Sequence, residues 1–154
     1  MNIFVTSLDP KKAASHLDDL RLNKMILETA QLLSTAYRHL FGEHPLLYKN
    51  THYNHPCSIW ARKNIYSYSW LVRYFDELSN EKMRRDLLIK NKDSISSHKS
   101  WQNLYTLFHS QEIEYNNKIT MNFFTFNCTE FKNEKDLRIA YQKQLMKKWQ
   151  NDLR

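Results

Sequence analysis

The chain of 154 residues has one glycine, three prolines and two cysteines. With Gly42 alone, no glycine-rich loop can cradle a phosphate, so Walker A and dinucleotide-binding fingerprints are excluded. Cys57 and Cys128 are too few for a disulfide framework, and reduced thiols in a cytoplasm are expected. No apolar run reaches the ~18 residues of a membrane span. The opening MNIFVTSLDPKK lacks the layout of a secretory signal. No linker rich in Pro, Gly or Ser divides the chain, so a single domain over residues 1–154 is expected. A chain of this length buries roughly 68–70% of its unfolded surface and needs no staple to fold. Catalytic signatures are also missing. There is no nucleophile elbow and no HxE…CxxC pattern of the zinc deaminases.

What is present is positive charge. Lys and Arg number 23 against 16 Asp and Glu, giving a formal net charge of +7 and a sequence pI near 9.4. Such a balance favours a polyanionic partner, because neutralising phosphates releases counterions. The charge interleaves with aromatic residues at Trp60, Arg62, Lys63, Tyr66, Tyr68, Trp70, Arg73 and Tyr74. Rings can stack on unpaired or flipped bases while cations hold phosphates. Core filling by the same rings is the plainer reading of this run.

The pattern of elements reads as mainly α. Residues 1–8 suit an extended arm or a strand. Asp9-Pro10 reads as an N-cap followed by proline at the first helical position. Nothing then breaks a helix until about Leu40, where Gly42 ends it. On a helical wheel Leu22, Met25, Ile26, Thr29, Leu32, Leu33, Ala36, Tyr37 and Leu40 form one core arc. Residues 41–55 read as a loop in which Pro45 and Pro56 hold the preceding histidines extended. A second helix is expected from Pro56 to about Leu78, extendable past Ser79-Asn80. It is apolar nearly all round and therefore central. Residues 91–98 are polar loop, Trp101 to Phe108 a short helix, and 119–131 an irregular aromatic segment. Glu134 to Leu153 closes the chain as an amphipathic helix. The expected fold is a compact bundle with a long first helix, an aromatic central helix and an extended N-terminal arm.

Beside the core arc runs a narrow polar line, Arg21, Lys24, Glu28 and Gln31, spaced to stack along one helix edge. Cations beside a carboxylate keep it ionised and suit a phosphate-bearing substrate. The plain alternative is a surface ion pair between Lys24 and Glu28, worth ~0.3–0.5 kcal/mol. Apolar residues flank the line on both sides, which favours use over decoration. Asp18 and Asp19 offer a second carboxylate or simply favour the helix start. The loop residues Thr51, His52, Asn54 and His55 either cap the second helix or touch a ligand, and a histidine there can bind phosphate or move a proton. His52, His55 and Cys57 do not follow a standard zinc spacing, and Cys128 is remote in sequence. No metal and no cofactor are expected.

The run LDDLRLNKMILETAQLLSTAYR followed by YKNTHYNHPCSIWARKNIYSYSWLVRYFDEL resembles a set of short phage-encoded proteins. Asp19, Arg21, Lys24, Glu28 and Gln31 match their D-x-R-x-x-K-x-x-x-E-x-x-Q helix. Thr51, His52, Asn54, His55, Pro56 and Trp60 match their T-H-x-N-H-P-x-x-x-W segment. The layout of apolar arm, cationic first helix, loop, aromatic second helix and basic C-terminal part also resembles, more distantly, the pyrimidine-dimer DNA glycosylase/AP lyases, the endonuclease V-like enzymes. That resemblance implies an all-α DNA repair enzyme with an N-terminal α-amine as nucleophile. Here the amine belongs to Met1. The family's adjacent Arg-Glu pair is Arg21-Leu22 in this chain, which leaves Glu28 or Asp19 as the carboxylate. Arg21 and Lys24, with Gln31, His52, Asn54, His55 and Arg62, are the candidate phosphate and ligand contacts. The expected partner is nucleic acid, DNA ahead of RNA, with no membrane. The expected setting is a monomer in the host cytoplasm. The alternatives are a non-catalytic basic nucleic-acid- or protein-binding accessory protein, and a nucleotide or phosphate-ester binding protein.

Overall fold

Six helices and one 3₁₀ turn (Met121–Phe123) make up the regular elements of the computed structural model, which describes residues 2–89, 97–111 and 118–153. The helices are α1 (Pro10–Ser15), α2 (Asp19–Phe41), α3 (Pro56–Ala61), α4 (Ile65–Ile89), α5 (Lys99–Phe108) and α6 (Leu137–Asp152). Among the described residues there is no strand, so residues 2–8 form an irregular arm. Met1 and most of the expected 91–98 loop lie outside the described residues.

The expected continuous helix from Pro10 to Leu40 is two helices. The first starts as expected, with the Asp9 carboxylate accepting from Lys11 N and Pro10 opening the helix. It stops because side chains compete for its backbone. Ser15 Oγ donates to Lys12 O at 2.7 Å, and the His16 ring bonds Thr6 Oγ1 of the arm at 2.9 Å. Asp18 then takes an extended conformation and restarts the helix, accepting from Arg21 N at 3.0 Å. Gly42 ends α2 at φ +104°, a region that disfavours any residue with a Cβ.

The expected Pro56 helix is likewise divided. It breaks at Arg62, and Asn64 restarts it by accepting from Ser67 N at 2.9 Å. The restarted helix, α4, runs through Ser79-Asn80 to Ile89. It packs against α1, α2, α3 and α5 and is the central element.

The core follows the predicted arc of α2, with Leu40 half-buried at its end. A dense aromatic cluster fills the opposite side. The Trp60 ring lies 5.3–5.4 Å from Phe123, Phe124 and Phe126 and 5.9 Å from Trp70. Both buried indoles find acceptors: Trp60 donates to Phe123 O at 2.9 Å and Trp70 to Leu8 O at 3.0 Å. A buried indole without a partner would be costly. These two bonds therefore fix the aromatic segment and the end of the arm against α3 and α4. The aromatic interleaving noted in the sequence is thus largely core.

The Asp18 cap generates a stability test. Burial acts to raise its carboxyl, but hydrogen bonds from Trp149 and Arg21 N and the Arg21 charge outweigh it and hold the group below its usual value. Asp18→Ala is expected to cost about 1 kcal/mol at neutral pH. For a chain of this size that lowers Tm by about 2–4 °C. A lowered carboxyl stabilises above its unfolded value, about 3.9, and loses that stability as pH falls through the folded one. The Tm gap between wild type and Asp18→Ala is therefore expected to narrow below about pH 4, as measured by thermal melts across pH.

Candidate functional site

The polar line of α2 exists because Arg21, Lys24 and Glu28, three and four residues apart, share one helix edge. That edge does not face open water. With Leu20 and Met25 it forms one wall of a cleft of about 520 Å³. Asn2 and Phe4 of the arm form a second wall, and Lys148 of α6 completes the rim. Three segments far apart in sequence therefore meet at this cleft.

Glu28 is the sheltered member of its ion pair. Its side chain is 15% exposed, against 68% for Lys24, and the two stand 3.4 Å apart. Arg21 is sheltered as well and already engaged. It pairs with Asp18 at 3.4 Å and with Asp152 at the end of α6. The Asp152 hydrogen bond, ahead of the Asp18 charge, raises its already high pKa and keeps it charged. Lys24 is thus the most open cleft cation, Lys148 is half-buried, and Arg21 doubles as the tie between α2 and α6.

Asn2 holds the arm at the cleft. Its Oδ1 accepts from Ile3 N and from the Tyr141 hydroxyl of α6, each at 2.8 Å. Phe4 packs edge-to-face on the same tyrosine with ring centroids 5.9 Å apart.

The histidine loop lies next to this wall without lining it. His55 caps α3, its Nδ1 accepting from Cys57 N at 3.2 Å. Burial, with the neighbouring His52, pushes the His55 ring below its usual pKa, against the pull of the Glu28 carboxylate. The His52 and His55 rings are 6.5 Å apart. His52 is exposed and has φ +47°, a strained value for a residue other than glycine. Asn54 is exposed. Arg62 braces the loop, with its guanidinium 3.7 Å from the Tyr53 ring and donating to Tyr53 O.

Other candidates stand apart from the cleft. Gln31 continues the polar line but is not among the cleft residues. Asp19 is 79% exposed, pairs with Arg85 of α4 at 2.8 Å, and borders a different cavity with Asn23 and Lys82. Met1 lies outside the described residues.

Sequence reasoning missed Asn2, Phe4 and Lys148. Only the general basicity of the C-terminal part hinted at Lys148. It also dismissed Cys128 as a partner for Cys57, 71 residues away, yet their sulfurs are 3.8 Å apart. His55, Cys57 and Cys128 bring a possible metal ligand atom each to within 4.8 Å of the others. Among the described residues no helix is long and apolar enough to cross a membrane.

The profile of the pyrimidine dimer DNA glycosylase family matches residues 1–97. The matched stretch carries the arm, α1 to α4, and every cleft residue except Lys148. No curated protein and no solved structure matches the chain. The match spans well over half of the chain and includes the polar edge of α2, so this protein belongs to the pyrimidine dimer DNA glycosylase family.

Proposed function

We propose that the cleft between the arm and α2 is the active site of an amine-dependent DNA glycosylase/AP lyase. One observation carries this reading: Asn2, the residue bonded to Met1, lines the same cleft as Glu28, Lys24 and Arg21. An α-amine has an ordinary pKa of about 7.7–8.0, so a useful fraction is unprotonated near neutrality. In the proposed reaction a damaged or modified nucleotide is flipped out of the duplex. The Met1 amine attacks C1′, and the glycosidic bond breaks with its electron pair leaving on the base. The Glu28 carboxylate takes the proton released by the attacking amine and passes it to the departing base. The sugar ring opens to an imine between C1′ and the amine. The Glu28 carboxylate then removes a proton from C2′, and β-elimination expels the 3′ phosphate. Water releases the amine.

Glu28 suits this role better than Asp19. It is sheltered from water inside the cleft, whereas Asp19 is exposed and paired to Arg85. Lys24 and Lys148 are the proposed phosphate contacts, and Arg21 contacts phosphate while holding α6. Gln31, His52, Asn54, His55 and Arg62 are proposed to line the path of the flanking DNA. The strain at His52 is consistent with such a role, since strained backbone concentrates at ligand sites. The proposed setting, which the resemblance to phage-encoded proteins supports, is DNA repair in the cytoplasm of an infected host, and the protein is proposed to act as a monomer.

Borohydride reduction during incubation with duplex DNA bearing a pyrimidine dimer or an abasic site tests the covalent step. A stable protein–DNA adduct is expected, and blocking the Met1 amine by acetylation should abolish it. A folded protein that binds lesion DNA without forming an adduct would leave a binding role instead.

Glu28→Gln preserves size and most hydrogen bonding but cannot exchange a proton. Single-turnover cleavage is expected to slow by ~10²–10⁴-fold. DNA affinity should hold or rise, because a negative charge leaves a phosphate-binding surface. Asp19→Asn should leave the rate unchanged. The reverse result would transfer the role to Asp19.

The +7 charge implies that duplex affinity falls steeply with salt. A plot of log affinity against log salt should be steep, and Lys24→Ala and Lys148→Ala should each flatten it by about one phosphate contact. A flat plot would argue for a small-molecule ligand.

A further inference from the structure

Cys57 is the second residue of α3 and is fully buried. Cys128 belongs to the irregular aromatic segment, two residues after Phe126. The Phe126 ring packs on Trp60 of α3 at 5.4 Å, which folds the segment back over the start of that helix. The backbone N of Cys128 donates to the Tyr141 hydroxyl at 3.2 Å, so α6 holds it from the other side. The two sulfurs then stand 3.8 Å apart. Pro56 keeps His55 extended at the helix start (φ −67°, ψ 140°). One ring nitrogen and two sulfurs lie within 4.8 Å of one another.

That spacing is one that two neighbouring thiols adopt and that two thiolates on one ion share. Two thiolates on a tetrahedral zinc, each bonded at about 2.3 Å, sit about 3.8 Å apart. A disulfide needs its sulfurs at about 2.05 Å, closer than they stand here. Two soft sulfurs and an imidazole select zinc-like ions over magnesium or calcium. We propose that His55, Cys57 and Cys128 bind one thiophilic divalent cation of the zinc type.

On binding, each thiol releases a proton to solvent and the two thiolates balance the charge of the cation. This balance makes the burial of Cys57 compatible with its ionised form. A neutral imidazole has one lone pair. Without the ion that pair caps α3 at Cys57 N over 3.2 Å, and with it the weak cap is exchanged for a coordinate bond. His55 and Cys128 are only half-buried, which leaves an entry path and a fourth vertex for water. The ion would staple the aromatic segment to the start of α3. This site adjoins the cleft, since Cys57 Sγ lies 3.9 Å from Asn2 Oδ1 and Tyr141 bonds both Asn2 and Cys128 N, but metal uptake is read without DNA and so is tested apart from the proposed Glu28 chemistry.

Full-length protein, reduced and stripped by chelator, can be titrated with Co²⁺ without oxygen. Uptake of one Co²⁺ per chain is expected, with a thiolate-to-cobalt charge-transfer band and the intense visible bands of a tetrahedral ion. Zn²⁺ should displace it, and Tm should rise with Zn²⁺ concentration. Cys128→Ser and His55→Gln should each weaken Zn²⁺ binding by more than the roughly 10–100-fold that loss of an outer-shell partner costs. Should buried Cys57→Ser fail to fold, half-buried Cys128→Ser gives the same reading, with circular dichroism confirming its fold. Three results would each overturn the assignment. They are a cobalt spectrum without charge transfer, undiminished uptake by Cys128→Ser, and no uptake by reduced protein whose thiols pair to a disulfide in air.

Discussion

The whole arrangement depends on burying a segment of backbone that has no sheet to join. Ile3 and Val5 are completely inaccessible to solvent, and Phe4 and Thr6 nearly so. Buried amides and carbonyls must find partners. Two tight local bonds serve this arm, Val5 N to Ile3 O at 3.0 Å and Thr6 N to Phe4 O at 2.8 Å. Side chains from elsewhere add to these. Trp70 of α4 reaches Leu8 O, and Gln142 of α6 reaches Thr6 O at 3.3 Å. An arm satisfied in this way is held in register by α4 and α6 at once. Because Asn2 ends it, the same constraint sets where the start of the described chain meets the α2 edge.

This makes α6 part of the site, although it lies beyond the residues that match the family. Tyr141 fixes Asn2, Lys148 joins the cleft rim, and Asp152 holds Arg21. Trp149 adds a bond to the Asp18 cap of α2 at 2.6 Å. Residues 1–97 hold the polar edge and the arm, but the arm needs a second wall to be buried against. The C-terminal helix provides that wall and, with it, cations and a carboxylate. Here the packing requirement and the composition of the cleft have one origin.

Much of this was legible in the sequence where local chemistry decides. Asp9-Pro10, Gly42 and Pro56 mark helix ends through φ restrictions and capping that act within a few residues, and the α2 arc follows from helical period alone. The breaks at 16–18 and 62–64 were not legible. Their caps are local, Asp18 on Arg21 N and Asn64 on Ser67 N, but both residue types are common inside polar helix faces, and the first break also draws on Thr6 at His16 and on Trp149, 131 residues from Asp18. Whether Glu28 or Asp19 faces the cleft was legible in principle. At about 100° per residue, nine positions place them on opposite faces of one helix. The proximity of Cys57 and Cys128 had no local signal, because aromatic packing on Trp60 produces it.

A net charge of +7 also says little about which cations can meet a phosphate. Arg21 is sheltered between Asp18 and Asp152, so a phosphate approaching it must compete with two carboxylates already in place. Lys24 differs, because its one partner in the cleft, Glu28, is less exposed than the lysine itself. A long, flexible ammonium chain can swing to a phosphate at little cost, whereas a guanidinium in a two-carboxylate clamp cannot leave without loosening α6. The residues therefore divide by mobility: Arg21 ties α2 to α6, and in the proposed complex Lys24 can follow a bound backbone. In the proposed reaction rigid walls matter, because an amine and a carboxylate act together only when both are held within reach of one sugar. The buried arm and the Arg21 clamp are the two features that impose that rigidity, one on each side of Glu28.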